Sequence, residues 1–394
     1  MISIALKMLL SDRVKYAGLL FGLTFTAFLV TFAASYFGGM MTRSFALIAD
    51  NPSADVWVMD PAVSAVDQTI DLPDHALLRV RSVTGVRSAS QLSVAHADLR
   101  FADGRFQSVE VIGVDDATLA GLPPLADGAA DALRIPNAAI ADAGGTSGKL
   151  ETPVSPRDRW PFRPHLNAPL RPLARGDEVI VNDQRVQIVG RGHGRPWFPP
   201  RPLLFTTLST ARRILPPERE RLTFVLARVA PGASPAAVAR RIASRTGLRA
   251  RTATEFKADT VRWMLANSED VGDAITMLTI AMLVGLGVTG VMMFMFTHQN
   301  LRAYAVLQAM GAQVSTLLGV VWLQAAICGA IGTGLGLGLC TLAGAVFTRL
   351  DFPFHMLWFA PVAGVVAVIF VSGAAAALSL RPLLTLRPAE LLAG

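Results

Sequence analysis

The chain has 394 residues, of which 52% are hydrophobic and 16% charged, with a formal net charge of +7 and a mean hydropathy of +0.45. An ordinary soluble domain carries about 25% charged residues, so this composition excludes a disordered chain and points to a membrane. The 24 prolines and 36 basic side chains equally exclude a chain that spans the bilayer throughout. The arginines are dispersed and lack the interleaved aromatic platform of a nucleic-acid binder, so no nucleic-acid partner is expected. Cys328 and Cys340 share one apolar stretch, which leaves no disulfide framework and no CxxC metal site.

Residues 1–15 read as a cytoplasmic, interfacial amphipathic helix, with Ile2, Leu6, Leu9, Leu10 and Val14 on one face and Ser3, Lys7 and Ser11 on the other. A spanning helix needs about 20 apolar residues. Residues 16–40 supply the first, uncharged from Tyr16 to Phe37. That run exceeds the roughly 7–15 residues of a signal-peptide apolar region, so an uncleaved helix is expected.

Residues 41–270 have the grammar of an extracytoplasmic α+β domain. Strands are predicted at 55–60, 93–101 and 106–114, the last two joined by the hairpin signal Asp103-Gly104. A second hairpin is predicted across Asn182-Asp183, between 178–181 and 185–189, and a further strand at 222–229. Ser234-Pro235 opens a helix through Thr246, with proline at its first position. The prolines of 152–172 crowd a segment of little periodicity, expected to be an extended loop.

Two leads in this region fail on their chemistry. Residues 143–150 imitate a phosphate-binding loop, but alanine stands where its first glycine belongs and leucine where its Mg²⁺-binding hydroxyl belongs. The six histidines form no HExxH or other close ligand pair, and no GxSxG elbow occurs. No catalytic residue, cofactor-binding residue or metal ligand is therefore expected.

Three more spans follow, at 271–298, 314–347 and 358–380, with a cytoplasmic segment at 299–313 and a short external loop at 348–357 between them. A cytoplasmic tail, 381–394, closes the chain. The fold class expected is thus a membrane protein of four transmembrane helices, one plus three, with a large extracytoplasmic α+β domain between the first and second. Lys7, Arg13, Lys15, Arg302, Arg381 and Arg387 fall on one side of these spans, against Arg349 beside Asp351 on the other. Both termini are accordingly expected in the cytoplasm. Within the third span, Gly332/Gly336 and Gly334/Gly338 form two interleaved GxxxG pairs. Such pairs let helix backbones approach closely, either inside one chain or in a dimer.

The segment Gln299-Asn-Leu-Arg-Ala-Tyr-Ala-Val-Leu-Gln-Ala-Met-Gly-Ala312 and the tail Arg387-Pro-Ala-Glu-Leu-Leu392 complete the pattern. With the one-plus-three spans, they resemble the FtsX/MacB class of ABC transporter permeases, especially DevC-like members. Arg302, Tyr304, Ala305, Leu307, Ala309, Met310, Gly311 and Ala312 match the family's loop. Its usual glutamate is Ala303 here, and its usual second basic residue is Gln308.

The resemblance implies a non-enzymatic permease subunit of the bacterial inner membrane. ATP and Mg would be bound by a separate ABC ATPase subunit, present in two copies. It implies a second copy of this chain as partner, membrane lipid around the spans, and, as often in the family, an adaptor of the membrane-fusion type. It places ATPase coupling on Arg302, Tyr304, Leu307 and Gly311, and helix packing or dimer contact on Gly332, Gly334, Gly336 and Gly338. Two functions fit: an exporter of a hydrophobic or amphipathic substrate, and a mechanotransmitter that activates an external partner such as a cell-wall hydrolase.

Overall fold

The computed structural model describes residues 13–143, 149–159, 168–195, 197–216, 222–301, 305–306, 308, 310, 312–350 and 352–379. The amphipathic stretch before Arg13, the centre of the glycine-rich loop at 144–148, Arg302, Tyr304, Leu307, Gly311 and the tail beyond Ser379 lie outside these residues. The chain divides into two compact units. One is helical (1–40 and 269–394) and the other is the inserted unit Met41–Ser268.

The helical unit holds four helices long and apolar enough to cross a membrane: α1 (Arg13–Ser44), α7 (Glu269–Gln299), α8 (Val314–Arg349) and α9 (Phe359–Ser379). Each outruns or shifts from its uncharged stretch by a few residues. A helix satisfies its own backbone hydrogen bonds, so it continues past the apolar run until other contacts end it. Between them in sequence are α2 (Ala46–Asp50), α3 (Ala76–Arg81), α4 (Leu208–Ile214), α5 (Pro235–Thr246) and α6 (Ala253–Asn267).

The inserted unit is α+β and is built on one mixed sheet. Its strands are β1 (Val56–Met59), β2 (Val86–Arg100), β3 (Phe106–Val114), β4 (Leu125–Asp127), β5 (Ala138–Asp142), β8 (Glu178–Val181), β9 (Gln184–Gly192), β10 (Leu203–Thr207), β11 (Phe224–Val229) and β12 (Arg249–Thr252). The spatial order is β12-β1-β11-β2-β3-β10-β5-β9-β4, and β8 pairs with both β2 and β9. The β3–β10 and β5–β9 pairs are parallel, and every other pair in this sheet is antiparallel. Both predicted hairpins form. Gly104 has φ of +90° in the first, and Asn182 and Asp183 have φ of +46° and +63° in the second. Positive φ at both central residues, as at Asn182 and Asp183, is what a type I′ hairpin turn demands.

The proline-rich stretch departs from the expected loop. Its ends, β6 (Glu151–Pro153) and β7 (Leu170–Pro172), pair antiparallel as a separate two-stranded sheet. Proline is tolerated there because a two-stranded ribbon has a solvent edge on each side.

Strand residues alternate faces, and the main sheet uses both. On one face Trp57 and Met59 pack with Leu47 and Ile48 of α2 and Phe256 of α6. Trp57, Phe224 and Phe256 meet there as an aromatic trio with centroids 5.5–6.0 Å apart. On the other face Val56 and Val58 pack with Ala76 and Val80 of α3 and with Val238, Ala239 and Ile242 of α5.

Helix α6 is fastened at its start by a capping box, in which Thr252 and Glu255 satisfy each other's backbone N–H. One turn on, the buried Asp259 accepts hydrogen bonds from Arg249 at 2.7 Å and Arg251 at 3.0 Å, and pairs with Arg262. Burial alone would raise the Asp259 carboxyl, but the hydrogen bond from Arg249 and the charges of Arg251 and Arg249 outweigh it, so its pKa is lowered. A carboxyl depressed on folding stabilises the fold above its unfolded pKa and stops doing so as pH falls through the folded value. Asp259→Asn is therefore expected to cost about 2–3 kcal/mol at pH 7, at the low end because Arg251 and Arg262 keep access to water. Melting followed by tryptophan fluorescence should show the gap between variant and parent closing as the pH drops below about 4.

Candidate functional site

The sequence places candidate residues in two parts of the helical unit, the glycines of the third span and the segment after the second. In the helical unit, α1 meets each of the other three helices, and glycine makes each of these approaches close. A Cβ built on Gly332 would lie 2.8 Å from Leu23 Cβ and 3.1 Å from the Thr24 nitrogen. One on Gly336 would lie 2.5 Å from Ala27 Cβ and 2.7 Å from the Thr24 carbonyl oxygen. Gly364 of α9 similarly abuts Thr31, and Gly285 of α7 abuts Thr26. Backbone-to-backbone approach of this kind is how membrane helices gain packing where hydrophobicity offers no contrast with lipid.

The second GxxxG pair behaves differently. Gly334 and Gly338 have nothing within 4 Å of a built Cβ, as do Gly287 and Gly290 of α7. Of the four glycines singled out in the third span, the structure brings two to α1 and leaves two facing away from the described residues.

Polar groups inside this unit are mostly handled locally. Thr26 donates to the Gly22 carbonyl at 2.8 Å and Ser35 to the Thr31 carbonyl at 2.7 Å, the usual back-bond of a hydroxyl to the preceding turn. At the far end of α1, Phe32 stacks among Phe347, Phe352 and Phe354, and Tyr36 stacks on Phe352. The His355 N–H donates to the Ser35 carbonyl at 3.0 Å, fixing the α8–α9 connection against α1.

At the other end lies the segment between α7 and α8. Arg302, Tyr304, Leu307 and Gly311 are outside the described residues, but their neighbours are not. Leu301 and Ala312, at either end, pack against the core cluster of Leu19, Leu23, Leu317 and Val321. Ala305 is fully buried, whereas Val306 and Met310 are 45% and 72% exposed. The Met310 N–H donates to the Val306 carbonyl at 3.0 Å, one helical turn. Two exposed apolar side chains four residues apart are therefore presented by a segment whose ends are tied into the helix core. The resemblance matches Met310 to the loop without giving it a coupling role and does not single out Val306, although their i, i+4 spacing is in the sequence.

Two larger clefts and a smaller one, of about 270 Å³ beside Asp259 and Trp263, are found among the described residues of the inserted unit. One, of about 510 Å³, is lined by Asp50, Ser88, Ser90, Thr118, Pro123 and Arg228. Burial raises the Asp50 carboxyl above the ordinary range despite its ion pair with Arg195 at 3.0 Å. The other, of about 600 Å³, is lined by Arg100, Arg159, Asp177, Glu178 and Arg185. Asp177 is held there by Arg171 through two hydrogen bonds of 2.6 Å.

One constellation invisible in the linear order also appears. His96 Nε2 lies 2.7 Å from Ser108 Oγ, its Nδ1 lies 3.2 Å from Glu110 Oε1, and Arg201 binds the same carboxylate oxygen at 2.6 Å. The strand register brings these residues together, His96 standing opposite Glu110. The group lines neither of the two larger clefts and ties β2 to β3 through polar side chains. Among the described residues no cluster of three or more His, Cys, Asp or Glu is placed to hold a metal.

Comparison with known proteins places the helical unit. Residues 275–388 match the FtsX-like permease C-terminal family. Over about half the chain the structure is similar to the periplasmic region of MacB from Actinobacillus actinomycetemcomitans, at 11% identity and a TM-score of 0.36, covering 53% of this chain and 92% of that one. It is also similar to the extracellular domain of the ABC-type transporter YknZ from Gram-positive bacteria, at 11% identity and a TM-score of 0.33, covering 50% and 99%. No curated protein matches the chain.

Proposed function

From the match of residues 275–388 to the FtsX-like permease C-terminal family, we propose that this chain is an ABC permease of the FtsX/MacB class and one half of a homodimeric exporter of the bacterial inner membrane. Hydrolysis belongs to a separate ATPase subunit, two copies of which dock on the segment between α7 and α8. Closure of the ATPase pair pushes that segment, the helices move as packed bodies, and the inserted domain moves with them to release a hydrophobic or amphipathic substrate. Packed helix interfaces suit this work because they have discrete arrangements rather than soft, continuous ones.

The observation that supports the reading best is the anchoring of the segment. Leu301 and Ala312 are packed into the core that contains α1 and α8, while Val306 and Met310 face outward. A push on the exposed side is thus transmitted to helices rather than absorbed by a loop.

The test is co-purification with the cognate ATPase in nanodiscs, followed by hydrolysis assays against lipid, haem-like and drug-like compounds. The chain alone should hydrolyse nothing, and the complex should be stimulated at least about twofold by one hydrophobic class. Stimulation only by an added cell-wall hydrolase would favour mechanotransmission. Failure to capture the ATPase would sink both versions.

Orientation follows from the Lys/Arg distribution and has its own check. In a background with Cys328 and Cys340 changed to alanine, a cysteine at the exposed Asp131 should react in intact cells with a membrane-impermeant maleimide. One at the exposed Gln299 should react only after permeabilisation. Labelling at Gln299 in intact cells would reverse the assigned sidedness.

A further inference from the structure

The inserted unit carries a basic face that nothing above uses. Between His75 and Ala97, and again between Arg228 and Thr254, the sequence contains no acidic residue. The fold brings parts of these two stretches together, since α3 and α5 pack side by side over Val56, Val58 and Ala89. Arg79 and Arg81 of α3, Arg87 of β2, and Arg240, Arg241 and Arg245 of α5 lie on these elements.

None of the six has a carboxylate within ion-pair distance among the described residues. Their hydrogen bonds go to backbone carbonyls instead. Arg81 donates twice to the Ala89 carbonyl, at 3.0 and 2.7 Å, Arg79 donates to the Arg245 carbonyl at 3.4 Å, and Arg241 donates to the Ala237 carbonyl at 3.4 Å. A carbonyl orients a guanidinium without neutralising it, so the positive charge stays available. Elsewhere in the unit, by contrast, arginines such as Arg105, Arg171, Arg191, Arg201 and Arg249 are each neutralised by a carboxylate. Asp74, immediately before the first acid-free stretch, is 3.2 Å from Arg212 of α4.

Like charges gathered on one face repel and lower stability unless something anionic meets them. We propose that the α3–α5 face is a docking surface for an acidic segment of a partner protein. One observation selects a protein over anionic lipid. Leu78 stands among these arginines with 67% of its surface exposed, and an apolar anchor ringed by charge is the usual anatomy of a protein contact.

The test uses the full chain in nanodiscs of neutral phosphatidylcholine and a fluorescent decaglutamate peptide as probe. The parent should bind the peptide, and binding should weaken between about 50 and 200 mM salt, as charge-driven contacts do. Arg240→Glu with Arg245→Glu should lose about tenfold or more in affinity, and Arg240→Gln with Arg245→Gln should lose less. The control, Arg175→Glu with Arg185→Glu, should bind within about twofold of the parent. Melting temperatures compared across the set separate a folding defect from lost binding. Leu78→Asp should lower affinity with the arginines intact. Sedimentation with phosphatidylglycerol vesicles should be the same for parent and Arg240/Arg245 variants. Equal peptide binding by parent and α5 variants, or vesicle binding that depends on α5 while peptide binding does not, would overturn the assignment.

Discussion

Replacing Gly336 with leucine is expected to break the helical unit apart, whereas the same change at Gly338 is expected to leave it folded. The two positions are half a turn apart in sequence on one helix, equally apolar and equally part of a GxxxG pair. What separates them is α1. A Cβ at Gly336 arrives 2.5 Å from Ala27 Cβ and 2.7 Å from the Thr24 carbonyl oxygen, while one at Gly338 meets nothing within 4 Å. Two of the atoms in the way belong to the backbone or to a Cβ, so no rotamer change makes room, and the helices must separate. Overpacking of this kind costs about 1–3 kcal/mol where a neighbour can shift, and more where it is backbone. In detergent, Gly336→Leu and Gly332→Leu should lower the melting temperature by several degrees or abolish the monodisperse peak, and Gly338→Leu should melt with the parent. The proposed homodimer adds a second readout. If Gly334 and Gly338 meet a second copy of the chain, their leucine variants should lose dimer at unchanged melting temperature. Parent-like melting of Gly336→Leu would show that α8 does not lie on α1 as described.

These glycines also mark how far the chain could be read without its structure. The four spans were legible because bilayer thickness imposes a length that composition alone can meet. Which GxxxG pair packs inward was not, since the answer lies in Thr24 and Ala27 on another helix. The helix from Pro235 to Thr246 was legible from its proline start, and it ends at Gly247 in the left-handed region with φ of +71°, the ordinary glycine stop. Helix α6 was passed over, although Thr252-Ala-Thr-Glu255 spells a capping box. Its partner Asp259, with three arginines converging on it, depends on tertiary placement. The sheet order was beyond reach for a related reason. β1 pairs with β11 and β12, roughly 170–200 residues away in the chain, and no local pattern encodes a partner so distant. The cross-strand tie of His96, Ser108 and Glu110 was hidden likewise, because register alone brings it together.

The segment after α7 is where structure and sequence must be combined, and there the largest functional effect is expected. Ala305 is buried, and Val306 and Met310 face outward four residues apart. In the sequence Arg302 stands four residues before Val306. An exposed apolar pair flanked by a guanidinium has the composition of an interface hot spot, where arginine and large apolar side chains carry most of the energy. Leu307 stands three residues before Met310 in the sequence and is expected to contribute to the same contact. Because Ala303 and Gln308 replace the family's glutamate and second basic residue, Arg302 is left as the charged residue of this stretch. Arg302→Glu and Leu307→Asp, and independently Met310→Asp, should insert into the membrane normally, since none lies within a spanning helix. Each should cut capture of the ATPase subunit at least about tenfold and abolish substrate-stimulated hydrolysis, while Val154→Asp, an exposed apolar site in the inserted unit, should change neither. The competing role for Arg302, binding lipid phosphate as an orientation signal, predicts reversed labelling of the cysteine at Gln299 with capture intact. Parent-level capture by all three variants would move the docking site elsewhere on the chain.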